Sequence, residues 1–493
     1  VMASPSSSAP VAEPATVHGT VVVGGGTPAR LALSVSKALF TRSSAVVVAR
    51  ADDQLGIADA AEQAERIGVP LLLLEPASRP AASAAAGAVP SAPDVFRDLF
   101  TAEIDRLGCR DVLAVGNVSG ALASALPGVR IVEQASDLAS ASAPASPTGL
   151  TVLVHAGGNA ATAAAARAAT VTAHAAGARV VAIRGSDPRA DPAAIAALSG
   201  HPAANVLAAG TDFGPAAKLA ARVAVARTGA QLPGGGETIF PGRRFVALYG
   251  QPGGPALGAL GAQNLDATIA RVKQLAASYV PMSKVPVVPT FEIIATVAQA
   301  SAGADGDYSA ESSVAALLPW VQKAKAAGVY VVLDLQPGSA DLLKQAQLYT
   351  PLLVQPNVGL AIDPEWALGA GQKPLEQIGS VNTSQINAVG AWLAALTASK
   401  HLPQKLFVLH QFRLSMIGDE PKLKSDYDEV AVLIHMDGQG TPANKKATWT
   451  AVTRTAPKGV PFGWKNFYRE DHPMVSAQET MAQRPAPMMI SYQ

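Results

Sequence analysis

The side chains best suited to chemistry gather in the second half of the chain, where short apolar runs end in polar residues. Tyr249 and Gln251 end the run 244–249, Glu292 lies in 285–294, and Asp334 with Gln336 ends 329–335. Asp363, Glu365 and Trp366 follow 358–362, His410 and Arg413 close 406–412, and His435, Asp437 and Gln439 close 430–436. Trp464, Lys465 and Asp471 belong to the end of 460–467, and Tyr492 ends 487–492. Two carboxylates across a common mouth, with aromatic faces nearby, are what glycosidic-bond hydrolysis requires: one protonated to donate to the leaving oxygen, one ionised to attack or to activate water. Glu365 is the expected acid/base, Asp334 or Asp437 the second carboxylate, and Asp363 a neighbour whose like charge raises the acid's pKa. Tyr249, Glu292, Gln336, Trp366, His410, Arg413, His435, Trp464, Lys465 and Asp471 are expected to bind substrate.

A single acidic residue at such a place is ordinary, because Asp and Glu often cap the helix that follows. Acidic residues at five of eight strand ends are harder to explain by solvation, since inward charges repel and cost desolvation unless a ligand, a metal or a cation compensates. Period-two alternation puts Asp334 with Gln336, Asp363 with Glu365, and His435 with Asp437 on common faces, provided each strand stays extended that far. Metal-assisted hydrolysis through His435, Asp437, Asp334 and Asp363 is a second reading, though no compact ligand spacing supports it and no metal is expected. A third is a barrel that only binds carbohydrate or serves as a scaffold. Asp363-Pro-Glu365-Trp366 resembles the Asp-x-Glu strand ending of some lysozyme-like and chitinase-like hydrolases.

The elements that must position these residues alternate in type. Eight apolar runs over residues 243–493 are interleaved with helical segments at 265–279, 311–327, 339–349, 383–399 and 442–453, with a short connection after the fifth run. Eight strands close a parallel barrel, whose chemistry sits at the strand carboxyl ends. The expected fold is α/β: tandem parallel, Rossmann-like repeats followed by a (β/α)8 TIM barrel.

The repeats occupy residues 18–232, about 18–140 and 150–232. Ala45-Val-Val-Val-Ala-Arg-Ala-Asp-Asp53, a helix and a strand to Leu74 recur as Thr151-Val-Leu-Val-His-Ala-Gly-Gly-Asn159, a helix and 179–183. Asp111-Val-Leu-Ala-Val-Gly116 is matched by Asn205-Val-Leu-Ala-Ala-Gly210. Continuous Val/Leu runs of this kind mark strands buried on both faces. With 29–40, 45–54 and Gly68-Val-Pro-Leu-Leu-Leu-Leu74, this half resembles the type 2 cell-wall-binding repeat of Gram-positive surface proteins, which implies attachment to anionic wall polymers and assembly into homo-oligomers. That family usually carries three repeats, and two are found here. The whole arrangement, with Val288-Pro-Thr-Phe-Glu-Ile-Ile294 and Ile434-His-Met-Asp-Gly-Gln-Gly440, resembles a secreted or lipoprotein family of high-GC actinobacteria that joins such repeats to a barrel. The resemblance implies a cell-envelope location and a wall polysaccharide or other envelope glycan as partner.

Gly24-x-Gly26-x-x-Ala29 loosely matches a dinucleotide fingerprint, with Asp52 or Asp53 as a ribose ligand, but a tight strand-to-helix turn with Pro28 opening the helix is the expected role. No cofactor is expected. Residues 1–17 have the Ser/Pro/Ala makeup of a flexible tether left by export processing, with a lipid anchor before processing as one form of it, and 233–242 that of a linker. The 493 residues exceed one core, and a net charge of +1 without charged blocks excludes a nucleic-acid footprint. No run of about twenty apolar residues spans a bilayer. The single cysteine, Cys109, allows no intrachain disulfide and is expected as core filler.

Overall fold

The computed structural model describes residues 12–76, 92–138, 148–201 and 204–493. It divides into two compact units, Val1–Gly229 and Ala230–Gln493.

In the first unit the repeated sequences become two four-stranded parallel sheets. One runs Leu71–Leu74, Ala45–Arg50, Asp111–Ala114, Arg130–Val132; the other runs Arg179–Ile183, Leu150–His155, Asn205–Ala209, Thr20–Val23. The three strands matched in sequence hold the same places in both sheets. The fourth place differs: Thr20–Val23, expected in the first repeat, pairs in parallel with Asn205–Ala209 and completes the second sheet. A Val-rich strand has no local feature that chooses between two sheet edges, and this one lies at the edge of the second sheet. Helices Pro28–Leu39, Gln54–Ile67 and Ala160–Ala175 pack together in one core with strands of both sheets. Ala164, Ala165, Ala168 and Ala169 are buried, and their small side chains admit close helix approach. Thr172 Oγ1 accepts from the Leu71 amide at 3.1 Å, satisfying a donor on an edge strand.

Several smaller expectations are decided here. Thr27 caps the helix that Pro28 opens, and Asp53 caps Gln54–Ile67 while Asp52 pairs with Arg50 at 2.9 Å. Asp52 and Asp53 thus follow a strand of the other sheet from Gly24–Gly26 and do not serve as ribose ligands of the glycine turn. Cys109 is buried, and burial pushes its thiol up to about 12. Of the expected tether, residues 1–11 lie outside the described residues, while Ala12–Pro14 pair antiparallel with Phe40–Ser43.

The second unit is a closed eight-stranded parallel barrel. Its strands are β1 Arg244–Gly250, β2 Val287–Ala298, β3 Tyr330–Leu335, β4 Val358–Ile362, β5 Lys405–His410, β6 Val430–Met436, β7 Phe462–Asn466 and β8 Met489–Tyr492. They neighbour one another in chain order, and β1 pairs with both β2 and β8, which closes the ring. Helices Leu265–Tyr279, Val314–Ala326, Leu342–Leu348, Thr383–Ser399 and Pro442–Thr455 follow individual strands; between β5 and β6 lie two 3-10 turns and the short strand Ile417–Gly418, which pairs with Val381–Asn382. Each fully buried Val, Leu or Ile of this packing contributes about 1.5–3 kcal/mol.

Phe245, Ala247, Val288, Tyr330, Val332, Ala361, Leu406, Val408, Leu433 and Met489 form one cluster filling the barrel interior, joined by Leu232 and Ile239. Residues 233–242, expected as a linker, therefore belong to the barrel's closed end. Their Gly/Pro composition reads as a linker, but the buried Arg243 guanidinium donates to the carbonyls of Gly235 at 2.6 Å and Thr238 at 3.0 Å and fixes the turn. Among the described residues no helix is long and apolar enough to cross a membrane.

Candidate active site

Above the apolar fill, alternation along the strands brings the next inward positions into a polar layer. Tyr249 stands in register with Glu292, His410 with His435, and Lys465 with Ser491. With Asp334 and Asp363 they are almost wholly buried.

His410 organises this layer. Its Nε2 lies 2.9 Å from Glu292 Oε1 and 3.8 Å from Asp334 Oδ1, and its Nδ1 is 3.3 Å from Asp437 Oδ2. Burial opposes a charged ring, but Glu292 and Asp437 outweigh it and hold His410 well above the usual imidazole range. His435 is driven the other way, by burial and by the charge on His410, and is neutral. Its Nε2 lies 2.7 Å from Ser491 Oγ. Gly463 makes room for this ring: a Cβ there would stand 1.8 Å from His435 Nδ1.

Burial and mutual repulsion raise three of the carboxyl groups, Asp334, Asp363 and Glu365. Burial raises Asp334 to about 6, Glu292 adding to the effect and His410 opposing it; Asp334 accepts from Tyr249 Oη at 2.8 Å. Burial and then Glu365 hold Asp363 well above the carboxylate range. Burial, followed by the negative charge of Asp437, raises Glu365 to about 7, against the pull of Lys465 and His410. The like charge that acts most on Glu365 is thus Asp437, and not Asp363 as expected, because Asp363 itself keeps its proton. The Lys465 ammonium supplies a second cation, 3.5 Å from the centre of the Tyr249 ring.

A cavity of about 290 Å³ opens over this layer at the strand carboxyl ends. Tyr249, Gln336, Asp363, Glu365, Trp366, Asp437 and Lys465 line it, joined by Phe412, Gln439 and Phe467. Glu365 reaches it by a different path from the one expected. Pro364 ends the extended strand, and the 3-10 turn Pro364–Trp366 carries both Glu365 and Trp366 into the cavity wall.

Other expected site residues lie elsewhere. Glu292, Asp334, His410 and His435 are fully buried and are not in the cavity wall. Trp464 is fully buried in the core between strands and helices, its ring centre 5.5 Å from that of Trp449. Asp471 is buried against Lys445 at 2.8 Å and accepts from the backbone amides of Gly440 and Phe467, so it fixes loops. Arg413 is exposed beside the Phe412 ring. Phe467 was missed although alternation from Lys465 would have placed it; Ser491 and Gly463 gave no signal of their own.

The proposed metal donors do not converge. Among the described residues the one trio whose ligating atoms all lie within 4.8 Å of one another is Asp305, Asp307 and Glu311, none of them an expected ligand. Compared with known proteins, the chain matches no family model and no curated sequence. The cavity's chemistry is therefore read from its own residues: the Glu365 carboxyl, raised to about 7, the further carboxyl groups of Asp363, Asp437 and Glu470, the Lys465 ammonium, and the aromatic side chains of Tyr249, Trp366, Phe412 and Phe467.

Proposed function

We propose that the barrel hydrolyses a carbohydrate polymer of the cell envelope by a two-carboxylate mechanism, with Glu365 as proton donor. The observation that carries this reading is the Glu365 carboxyl at about 7 in a cavity it shares with Asp437, Trp366 and Phe412. A carboxylic acid that stays protonated near neutral pH can donate to a leaving glycosidic oxygen. Asp437 is the second carboxylate of this proposal, as nucleophile or as the base that activates water. Asp334 is set aside for that role, since it is fully buried and occupied by Tyr249. Lys465 and His410 favour the ionised state of Glu365 and balance the charge it acquires on giving up its proton. Trp366 and Phe412 offer faces to the apolar sides of sugar rings.

In this proposal the first unit holds the protein on the wall. The support is its resemblance to type 2 cell-wall-binding repeats, together with the duplicated sheet order; export to the envelope and assembly through this unit belong to the same proposal. The test is release of reducing ends from purified actinobacterial wall glycans by wild type and Glu365→Gln, with and without a chelator. Chelator-resistant release lost in the variant supports the reading. Chelator-sensitive release favours metal-assisted hydrolysis, and wall binding without release favours a non-catalytic, carbohydrate-binding protein.

A further inference from the structure

A second cavity of about 260 Å³ adjoins the first, with Glu470 in the wall of both. Leu257, which lines the first, is followed in the chain by Gly258 and Ala259, which line the second. The loop bearing them lies tightly on the end of β1: a Cβ on Gly258, where φ is +138°, would stand 2.4 Å from the Tyr249 carbonyl oxygen. The polar side of the cavity carries Arg271, Arg469 and Glu470, an excess of one positive charge. Tyr468 adds an aromatic surface 42% exposed, and Leu257 is 36% exposed at the junction.

The two guanidinium groups are incompletely used. Arg271 lies over the Tyr468 ring at 5.4 Å, and its Nη1 donates to Gln263 Oε1 at 2.9 Å and to the Ala259 carbonyl at 3.2 Å. Its Nε and Nη2 have no hydrogen-bond acceptor among the described residues, and Arg469 is exposed without an ion-pair partner among them. Guanidinium groups pair bidentately with carboxylate and phosphate, and a half-exposed tyrosine beside them covers an apolar sugar face.

Resting on the hydrolase reading for the first cavity, we infer that the second is a subsite for a sugar carrying a carboxylate or phosphate, so that the barrel's substrate is an acidic glycan. The acidic unit occupies the Arg271–Tyr468–Arg469 pocket, and its neighbour along the polymer lies at Glu365.

The test is calorimetric titration of the full chain at low salt with tetragalacturonate, a glycerol phosphate trimer and neutral chitotetraose. Wild type, Arg469→Gln and Arg271→Gln are compared. At least one acidic probe binds tenfold or more tighter than chitotetraose, the stronger of the two identifying the anion, and the preference shrinks in both variants and with added salt. Arg469→Gln, at an exposed side chain, keeps the test readable if Arg271→Gln loosens the loop at Ala259. Equal binding of acidic and neutral probes, failure of both acidic probes to bind, or a preference unchanged in both variants overturns the inference. If wild type cuts wall glycans without an acidic preference, this inference alone fails. If the acidic probe binds through the two arginines and no glycan is cut, the hydrolase reading fails and the subsite stands.

Discussion

Glu365→Gln keeps the shape of the side chain and removes its ionisation, which makes the raised carboxyl measurable as stability. The wild-type group titrates at about 7, against 4.5 for an unperturbed glutamate. Ionising it in the folded barrel therefore costs about 3 kcal/mol more than in the unfolded chain. The folded state binds this proton more tightly, so the group's contribution is fully present below its unfolded pKa and is lost as pH rises through about 7. Glutamine does not titrate, so between pH ~5 and ~9 the variant gains about 2–3 kcal/mol relative to wild type. For a unit of this size that corresponds to a relative Tm shift on the order of 5–10 °C. All five tryptophans, Trp320, Trp366, Trp392, Trp449 and Trp464, lie in the barrel, so tryptophan fluorescence follows the unfolding of that unit alone. The differential comparison cancels titrations that do not involve Glu365; Asp363, which the Glu365 charge helps to raise, is relieved in the variant and changes the comparison in the same direction. A Tm difference that stays constant from pH ~5 to ~9 would refute the raised carboxyl and the proton-donor role built on it.

Asp437→Asn removes the like charge that most raises Glu365 after burial, so in a background carrying it the pH at which Glu365→Gln gains stability over its parent should move lower; a midpoint that stays in place contradicts the coupling. Gly463→Ala drives a methyl group into His435 and should destabilise the barrel by about 1–3 kcal/mol in denaturant unfolding, whereas an unchanged midpoint would show that the ring moves freely. Lys445→Met leaves Asp471 buried without its cation and should cost about 3–5 kcal/mol in the same assay, a loss below about 1 kcal/mol contradicting a buried pair.

The barrel was legible because each strand is a continuous apolar run and each inward charge follows one. All eight runs became strands, and two of them, Val358–Ile362 and Val430–Met436, have the expected limits. What stayed hidden depends on partners remote in sequence. Thr20–Val23 chose the edge beside Asn205–Ala209, and Asp471 found Lys445. The Gly/Pro turn before β1 became part of the barrel floor only because Arg243 bonds its carbonyls. Trp464 was avoidable: consecutive strand residues face opposite ways, so with Lys465 inward Trp464 had to face the helices. Glu365 lines the cavity by a geometry the sequence did not suggest, since a 3-10 turn rather than an extended strand delivers it.

The central claim, that Glu365 is the proton donor of a glycan-cleaving barrel, is tested most directly by the pH dependence of reducing-end release from purified actinobacterial wall glycans. The account predicts release that falls as pH rises through about 7 and that Glu365→Gln lowers by roughly 10²–10⁴-fold. Release that persists undiminished into alkaline pH, or that Glu365→Gln leaves intact, would contradict it.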